Sequence, residues 1–188
     1  MYLNCHTYYS LRFGAFSETD LLKLARMNQV HSLALTDINN TSACLNFIRK
    51  SKEYDIRPIV GIDFRNGADQ QFVGLARNNM GFQKLNEYLS HHLHNDIKFP
   101  SQAPILSDTY FIYPFEKVLQ LEKQHFKDNE FIGVSVENLR RLPFSKYKTF
   151  TSRLVVQQQV TFRNKRDFNA HRLLRAVDNN ILLSKLQK

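Results

Sequence analysis

Cysteine is scarce in this chain: Cys5 and Cys44 are the only two in 188 residues. That count excludes a disulfide framework and points to reduced thiols in a cytosolic setting. Long apolar runs are missing as well. None approaches the ~18 residues of a membrane helix, so no membrane partner is expected. Met1-Tyr2-Leu3-Asn4 offers neither a basic n-region nor an apolar h-region, and no signal peptide is expected. There is no glycine-rich loop of the G-x-G-x-x-G or G-x-x-x-x-G-K-S/T kind, which argues against nucleotide binding by those routes. Low-complexity segments and internal repeats are absent too. Acidic residues are rare in the last quarter. Between Arg140 and Lys188, twelve Lys/Arg stand against Asp167 and Asp178, a net +10, while residues 1–139 sum to −1. The overall +9 therefore lies at the carboxyl-terminal end. Such a block suits a polyanion or an acidic protein surface.

What is present is a core. Hydrophobic residues make up 43% of the chain, enough for one packed domain of this length with at most a small appendage. Tyr2–His6 reads as a first strand. Ser17 caps a helix with Leu21, Leu22, Leu24 and Ala25 on its apolar face, ending near Asn28. Ser32–Thr36 is a second strand. Thr41 or Ser42 opens a helix carrying Cys44, Leu45, Phe47 and Ile48. Pro58–Phe64 is strand three, and Gln71–Ala76 strand four, reached through Asn66-Gly67. Asn78 or Asn79 opens a third helix, whose end at His91-His92-Leu93-His94 frays into a loop. Tyr110–Tyr113 is strand five, Phe115–Gln124 a helix, and Phe131–Val134 strand six, followed by a short helix to Leu142. Leu154–Phe162 is strand seven, and Asp167–Val177 a last helix with Leu173, Leu174 and Val177 toward the core. Strands alternating with helices predict parallel βα units, arranged as an open doubly wound sheet or a compact barrel.

Chemistry in such folds sits at the carboxyl ends of the strands. Three of those ends carry polar residues: Asn4-Cys5-His6-Thr7-x-x-Ser10, Thr36-Asp37-Ile38-Asn39-Asn40 and Gly61-Ile62-Asp63. Cys5 and His6 adjoin, but strand alternation sends them to opposite faces, which disfavours a Cys–His nucleophile. Asp37 with Asn39 and Asn40 could equally build an Asx-type turn and cap the next helix. His91 and His94 share a helical face without a nearby cysteine or carboxylate pair, so a metal role there is disfavoured.

The order and spacing of these strand ends resemble the polymerase and histidinol phosphatase (PHP) family. More narrowly they resemble the PHP domains that open bacterial DNA polymerase III alpha subunits. Leu75-Ala76-Arg77-Asn78-x-x-Gly81-Phe82-x-x-Leu85 and Arg166-Asp167-Phe168-x-x-His171-Arg172-Leu173-Leu174-Arg175-Ala176 extend the narrower likeness. The resemblance implies an α/β fold: a distorted seven-stranded (β/α) barrel of PHP type over residues 1–177, with residues 178–188 starting a linker toward a polymerase module. In active relatives the cleft holds two or three metal ions on His, Asp, Glu and Cys side chains and splits phosphoesters, a task suited to clustered metals.

This sequence departs from that pattern at the ligands. The family's His-x-His is Asn4-Cys5-His6, its Thr-Asp-His is Thr36-Asp37-Ile38, and its Glu on strand three is Asp63. Its Asn-Asp-x-His is replaced by Gln158-Gln159-Val160-Thr161, and Tyr113-Pro114 offers no thiol or imidazole near another ligand position. The expected pocket is therefore a vestige of Asn4, His6, Asp37, Asp63 and Gln159, without a catalytic residue and without a cofactor. If any ion is kept, His6, Asp37 and Asp63 would hold it. The resemblance implies downstream polymerase domains as partners, with primer–template DNA and replisome subunits as further possibilities, in a bacterial cytoplasm. Arg163, Lys165, Arg166, Arg172 and Arg175 are the expected nucleic-acid or domain-docking residues. Two alternatives remain: a 3′–5′ exonuclease or phosphoesterase on a reduced Zn, Mn or Fe site, and a stand-alone PHP phosphatase.

Overall fold

A computed structural model describes residues 1–186. Its centre is one curled sheet. The strands are β1 (Tyr2–Cys5), β2 (Ser32–Leu35), β3 (Arg57–Asn66), β4 (Asp69–Ala76), β5 (Thr109–Pro114), β6 (Glu130–Val134), β7 (Leu154–Val156) and β8 (Gln159–Val160). Their order in the sheet is β7-β6-β5-β4-β3-β2-β1-β8. The expected seventh strand thus arrives in two pieces. Its first half pairs with β6 and its second with β1. Only Gln157 and Gln158 separate them, so a single stretch of chain forms both edges and draws the sheet into a distorted barrel. Closing the sheet this way leaves no long free edge to recruit another chain.

The strands are not all parallel. β3 pairs antiparallel with β4, and β4 with β5, while every other pair is parallel. The two residues between β3 and β4 cannot make the crossover that parallel strands require. A hairpin is the geometric consequence.

Helices α1 (Glu18–Met27), α2 (Cys44–Ser51), α3 (Asn79–His94), α4 (Phe115–Leu121) and α5 (Lys165–Asp178) cover the outside. Ser17 caps α1 by accepting from Asp20 N at 3.0 Å, and Asn78 caps α3 by accepting from Gly81 N at 3.0 Å. Neither Thr41 nor Ser42 caps α2, which starts from Ala43 without a side-chain cap. Instead Asn40 Oδ1 accepts from Ser42 N at 2.7 Å and shapes the approach. α4 stops at Leu121, three residues before its expected end, because Glu122 takes a left-handed conformation. The helix expected after β6 is a run of short 3₁₀ turns from Glu137 to Arg153.

The histidine tract stays helical to the end of α3. His92 is buried, with its Nδ1 2.9 Å from Tyr88 O and its ring stacked on Phe99. That is a packing role. α5 begins earlier than expected, capped by Asn164, and it turns a different face inward. Ala176 is buried, whereas Leu173 is 55% and Val177 60% exposed.

Apolar side chains fill the barrel's base: Ala34, Val73, Leu75 and Ile112, ringed by Leu3, Ile59, Phe131 and Val155. On β3 the side chain that follows Ile59 inward by two steps is Asp63, then Arg65. The interior therefore turns from apolar to polar toward the carboxyl ends of the parallel strands. Outside the sheet, Cys5, Leu33 and Leu35 pack under α1 and α2 against Phe47 of α2, and Phe64, Phe72 and Phe111 under α3.

Candidate functional site

The mouth of the barrel gathers the expected residues. Asn4, His6, Asp37 and Asp63 are all buried there. Cys5 points away into the outer core, and burial pushes its thiol far above the ordinary range. Burial likewise pushes Cys44 up to about 12, so neither cysteine is a nucleophile.

Two separate networks occupy the site. The first is centred on Asp37. Its Oδ1 accepts from Thr7 N at 2.6 Å and from Ser10 Oγ at 2.7 Å, and its Oδ2 from Thr7 Oγ1 at 2.7 Å. Ser10 Oγ in turn accepts from Ile38 N at 2.9 Å. Asp37 thus holds the loop after β1 rather than capping the next helix. Burial raises its carboxyl above the usual carboxylate range, against the pull of the Ser10 and Thr7 donors.

That loop has no room to spare. A Cβ on Gly14 would lie 1.7 Å from Thr7 O. Gly14→Ala is therefore expected to push Thr7 off Asp37 and cost roughly 1–3 kcal/mol, measurable as a lower Tm and faster amide exchange at Thr7–Ser10.

The second network is centred on Asp63. Its Oδ2 accepts from His6 Nε2 at 2.9 Å and from Arg65 Nε and Nη2 at 3.0 and 2.8 Å. Its Oδ1 accepts from Gln70 Nε2 at 2.8 Å. Burial alone would raise this carboxyl, but the Arg65 guanidinium, helped by His6, outweighs it and holds the group down at about 2. Arg65 is itself buried and its backbone is pinned. Asn39 Oδ1 accepts from Arg65 N at 2.9 Å, and Asn39 Nδ2 donates to Arg65 O at 2.8 Å. The guanidinium also lies 5.0 Å from the centre of the Phe13 ring.

Gln159 joins His6 at the other ring nitrogen. Its Nε2 is 3.3 Å from His6 Nδ1 and donates to Thr161 Oγ1 at 2.9 Å. Asn4 Oδ1 accepts from Thr36 Oγ1 at 3.0 Å.

This donor set does not suit a metal cluster. His6 Nε2 and Asp63 Oδ2 face each other and Arg65, and both Asp37 oxygens are filled by loop donors. The fixed positive charge of Arg65 lies on the carboxylate that a cation would need. Among the described residues, no group of three or more His, Cys, Asp or Glu is arranged to hold a metal ion.

The basic residues divide in two. Arg163 is committed to the domain, with Nε 2.6 Å from Asp167 Oδ2 and Nη1 3.3 Å from Asp20 Oδ1. Arg175 pairs with Asp178 at 2.6 Å and lies 5.5 Å from the Phe13 ring centre. Lys165 and Arg166 are exposed at the start of α5. Arg172 lines a groove of about 670 Å³ with Phe168, His171, Ile181 and Leu186. The same helix reaches back toward the site: His171 Nδ1 is 2.7 Å from Phe13 O, and the two rings meet edge to face.

Arg65, Gln70, Thr7 and Thr161 were not among the residues expected from sequence to form the site. For Arg65 the signal was available: it stands two residues after Asp63 on one strand, hence on the same face.

A barrel with a polar cluster at the carboxyl ends of its parallel strands is the class of fold in view. The chain belongs to the PHP domain family, whose pattern matches residues 3–139. It is 36% identical over 88 residues to a DNA polymerase III subunit alpha from Ureaplasma parvum, covering 47% of this chain and 9% of that protein. It is 32% identical over 90 residues to an error-prone DNA polymerase from Symbiobacterium thermophilum, covering 48% and 8%. The matched segment is thus about a tenth of the length of these relatives. A solved amidohydrolase from Chromobacterium violaceum aligns with 96% of this chain and 84% of its own, at a TM-score of 0.39 and 11% identity. Among the described residues, no helix is long and apolar enough to cross a membrane.

Proposed function

We propose that this chain is the PHP domain of a bacterial DNA polymerase III alpha-type protein, and that it serves that polymerase as a metal-free scaffold rather than as a phosphoesterase. The observation that carries the reading is Arg65. A buried guanidinium bound to Asp63 Oδ2 supplies the positive charge that a metal would otherwise bring to the carboxylate. No ion then has to be acquired for Asp63 to be stable as an anion.

Residues 1–177 form the domain on this reading, and 178–188 begin the link to polymerase domains in the same chain; Gln187 and Lys188 lie outside the described residues. Docking onto those domains falls to α5 and the stretch after it. Leu173, Val177 and Leu182 are more than half exposed there, a grouping that marks an interaction surface. Lys165, Arg166 and Arg172 add positive charge beside it, facing primer–template DNA or a neighbouring replisome subunit. The setting is the bacterial cytoplasm.

Metal analysis of the purified chain tests the scaffold role, with none of Zn, Mn or Fe expected at stoichiometric level. A stoichiometric ion, together with DNA-end degradation lost in His6→Ala, would establish a working exonuclease instead. For the basic surface, primer–template binding is expected to weaken steeply with salt, and replacing Lys165, Arg166 and Arg172 with Glu to flatten that dependence. Unchanged binding in the triple variant would leave α5 with domain docking alone.

A further inference from the structure

The barrel is also open at the end away from its mouth. A cavity of about 830 Å³ lies under the amino-terminal ends of the parallel strands. Its floor is apolar: Leu3, Ile59, Leu75, Ile112, Phe131 and Val155. From there the cavity bends round the lower ends of β3 and β4 to Ile48 of α2 and Phe82 of α3. Leu45, which also lines it, is 73% exposed. The volume is that of a small-molecule site, and so is the lining of apolar side chains with a few polar groups among them.

The charged groups on this cavity are of one sign. Arg57 and Arg77 line it, and no aspartate or glutamate does. Arg57 stands two residues before Ile59 on β3, and Arg77 two residues after Leu75 at the end of β4. Strand alternation therefore puts both on the side of the apolar floor. Both are exposed. Among the described residues, neither guanidinium is in an ion pair; the arginines that pair are others. Neighbouring carboxylates are already taken. Asp55 pairs with Arg26 at 3.4 Å. Asp108, whose backbone oxygen accepts from Arg77 N at 2.9 Å, turns its carboxylate to Asn78 Nδ2 at 3.0 Å and to Lys84 Nζ at 3.5 Å.

That combination narrows the ligand. A cation would meet two guanidiniums and no counter-charge. A bare phosphate would leave the apolar floor wet. A nucleic-acid strand needs a run of phosphate contacts, and two arginines over a greasy hollow do not supply one. A ligand with an apolar body and a single anionic head satisfies both parts, because burial of the body and a charge-assisted contact to the head act together.

We infer that the base of the barrel binds a small amphipathic anion, an alkyl chain ending in a carboxylate, with the chain on the apolar floor and the head between Arg57 and Arg77. The site is at the opposite end of the barrel from His6, Asp37 and Asp63. It rests neither on the scaffold role nor on the polymerase reading.

The test is a titration of the whole 188-residue chain with octanoate, octanol, octyltrimethylammonium and acetate, followed by calorimetry and amide NMR. Octanoate is expected to bind saturably, one per chain, and to shift the backbone amides of Arg77, Asn79 and Tyr110. It should bind about tenfold more tightly than octanol, the worth of one charge-assisted contact. Octyltrimethylammonium should bind more weakly than octanol, and acetate should not saturate. In Arg57→Gln with Arg77→Gln, octanoate is expected to fall to the level of octanol while octanol binding is unchanged. Both side chains are exposed and unpaired, so the urea midpoint of this variant should match that of the parent. Equal binding of octanoate and octanol by the parent chain would overturn the inference, and that comparison needs no variant. So would octanoate binding that survives the double replacement, or shifts that fall on Leu173 and Val177 of α5 instead. Acetate binding as tightly as octanoate would overturn it too, as would a dimer that buries the base and is lost in Arg57→Glu.

Discussion

Replacing Arg65 with alanine is expected to destabilise the fold by about 3–5 kcal/mol, because it leaves the Asp63 carboxylate buried without its cation. The pH dependence gives this result its distinctive form. In the parent chain Asp63 is held at about 2 against an ordinary 3.8. A depressed carboxylate contributes stability above the ordinary value and loses it as pH falls through the folded value. At ~1.4 kcal/mol per unit, that contribution is about 2–3 kcal/mol at neutral pH. Without Arg65, burial becomes the dominant influence and the folded value rises above the unfolded one. The sign then inverts, and ionisation of Asp63 opposes folding as pH rises. Urea melts of the parent and Arg65→Ala should therefore diverge widely at pH 7 and converge toward pH 3. A gap that stays constant across that range would mean that Arg65 acts through packing on Phe13 rather than through charge.

A double replacement separates the pair from its members. Arg65→Leu with Asp63→Leu removes both charges from the interior, and is expected to be no less stable than Arg65→Ala alone. Breaking a buried pair costs more than removing it whole. Simple additivity of the two single changes would show that Arg65 and Asp63 are not energetically coupled.

Much of this site was legible before any coordinates. The strand ends carrying His6, Asp37 and Asp63 are recognisable because polar residues follow short apolar runs at regular intervals, and the fold brings all three to one mouth. The departures from the family's ligand pattern, Ile38 and Gln159 among them, stand in the sequence itself. The cation beside Asp63 was harder to read. Arginine ordinarily reads as surface, and only the period of two along β3 ties Arg65 to Asp63. The break in the seventh strand left a fainter mark, the polar Gln157-Gln158-Gln159 inside an otherwise apolar run. The inward face of α5 was misread for a different reason. Leu173 and Val177 have the spacing of a core face, yet Ala176 is the buried apolar residue of that helix. Apolar spacing tells that a helix face is to be covered, but not whether its own domain covers it.

Asp37→Ala is expected to be the other severe change, at more than about 3 kcal/mol, since three buried donors lose one acceptor group. Thr7 N, Thr7 Oγ1 and Ser10 Oγ all end on this carboxylate. With it gone, Ser10 Oγ also loses the partner that orients it toward Ile38 N. The loop from Thr7 to Gly14 should then detach, carrying Phe13 off Arg65 and off His171. Asp37→Asn should be far milder, about 1 kcal/mol. Its remaining oxygen can keep Thr7 N and Ser10 Oγ, and the Thr7 hydroxyl can rotate to accept from the new NH₂. This ordering distinguishes a latch from a metal ligand. A ligand would tolerate neither change in activity and would show little difference between them in stability. Amide exchange at Thr7–Gly14, read beside the urea midpoint, should be fast in Asp37→Ala and near the parent rate in Asp37→Asn. Equal exchange in the two variants would remove Asp37 from its role as the anchor of the loop.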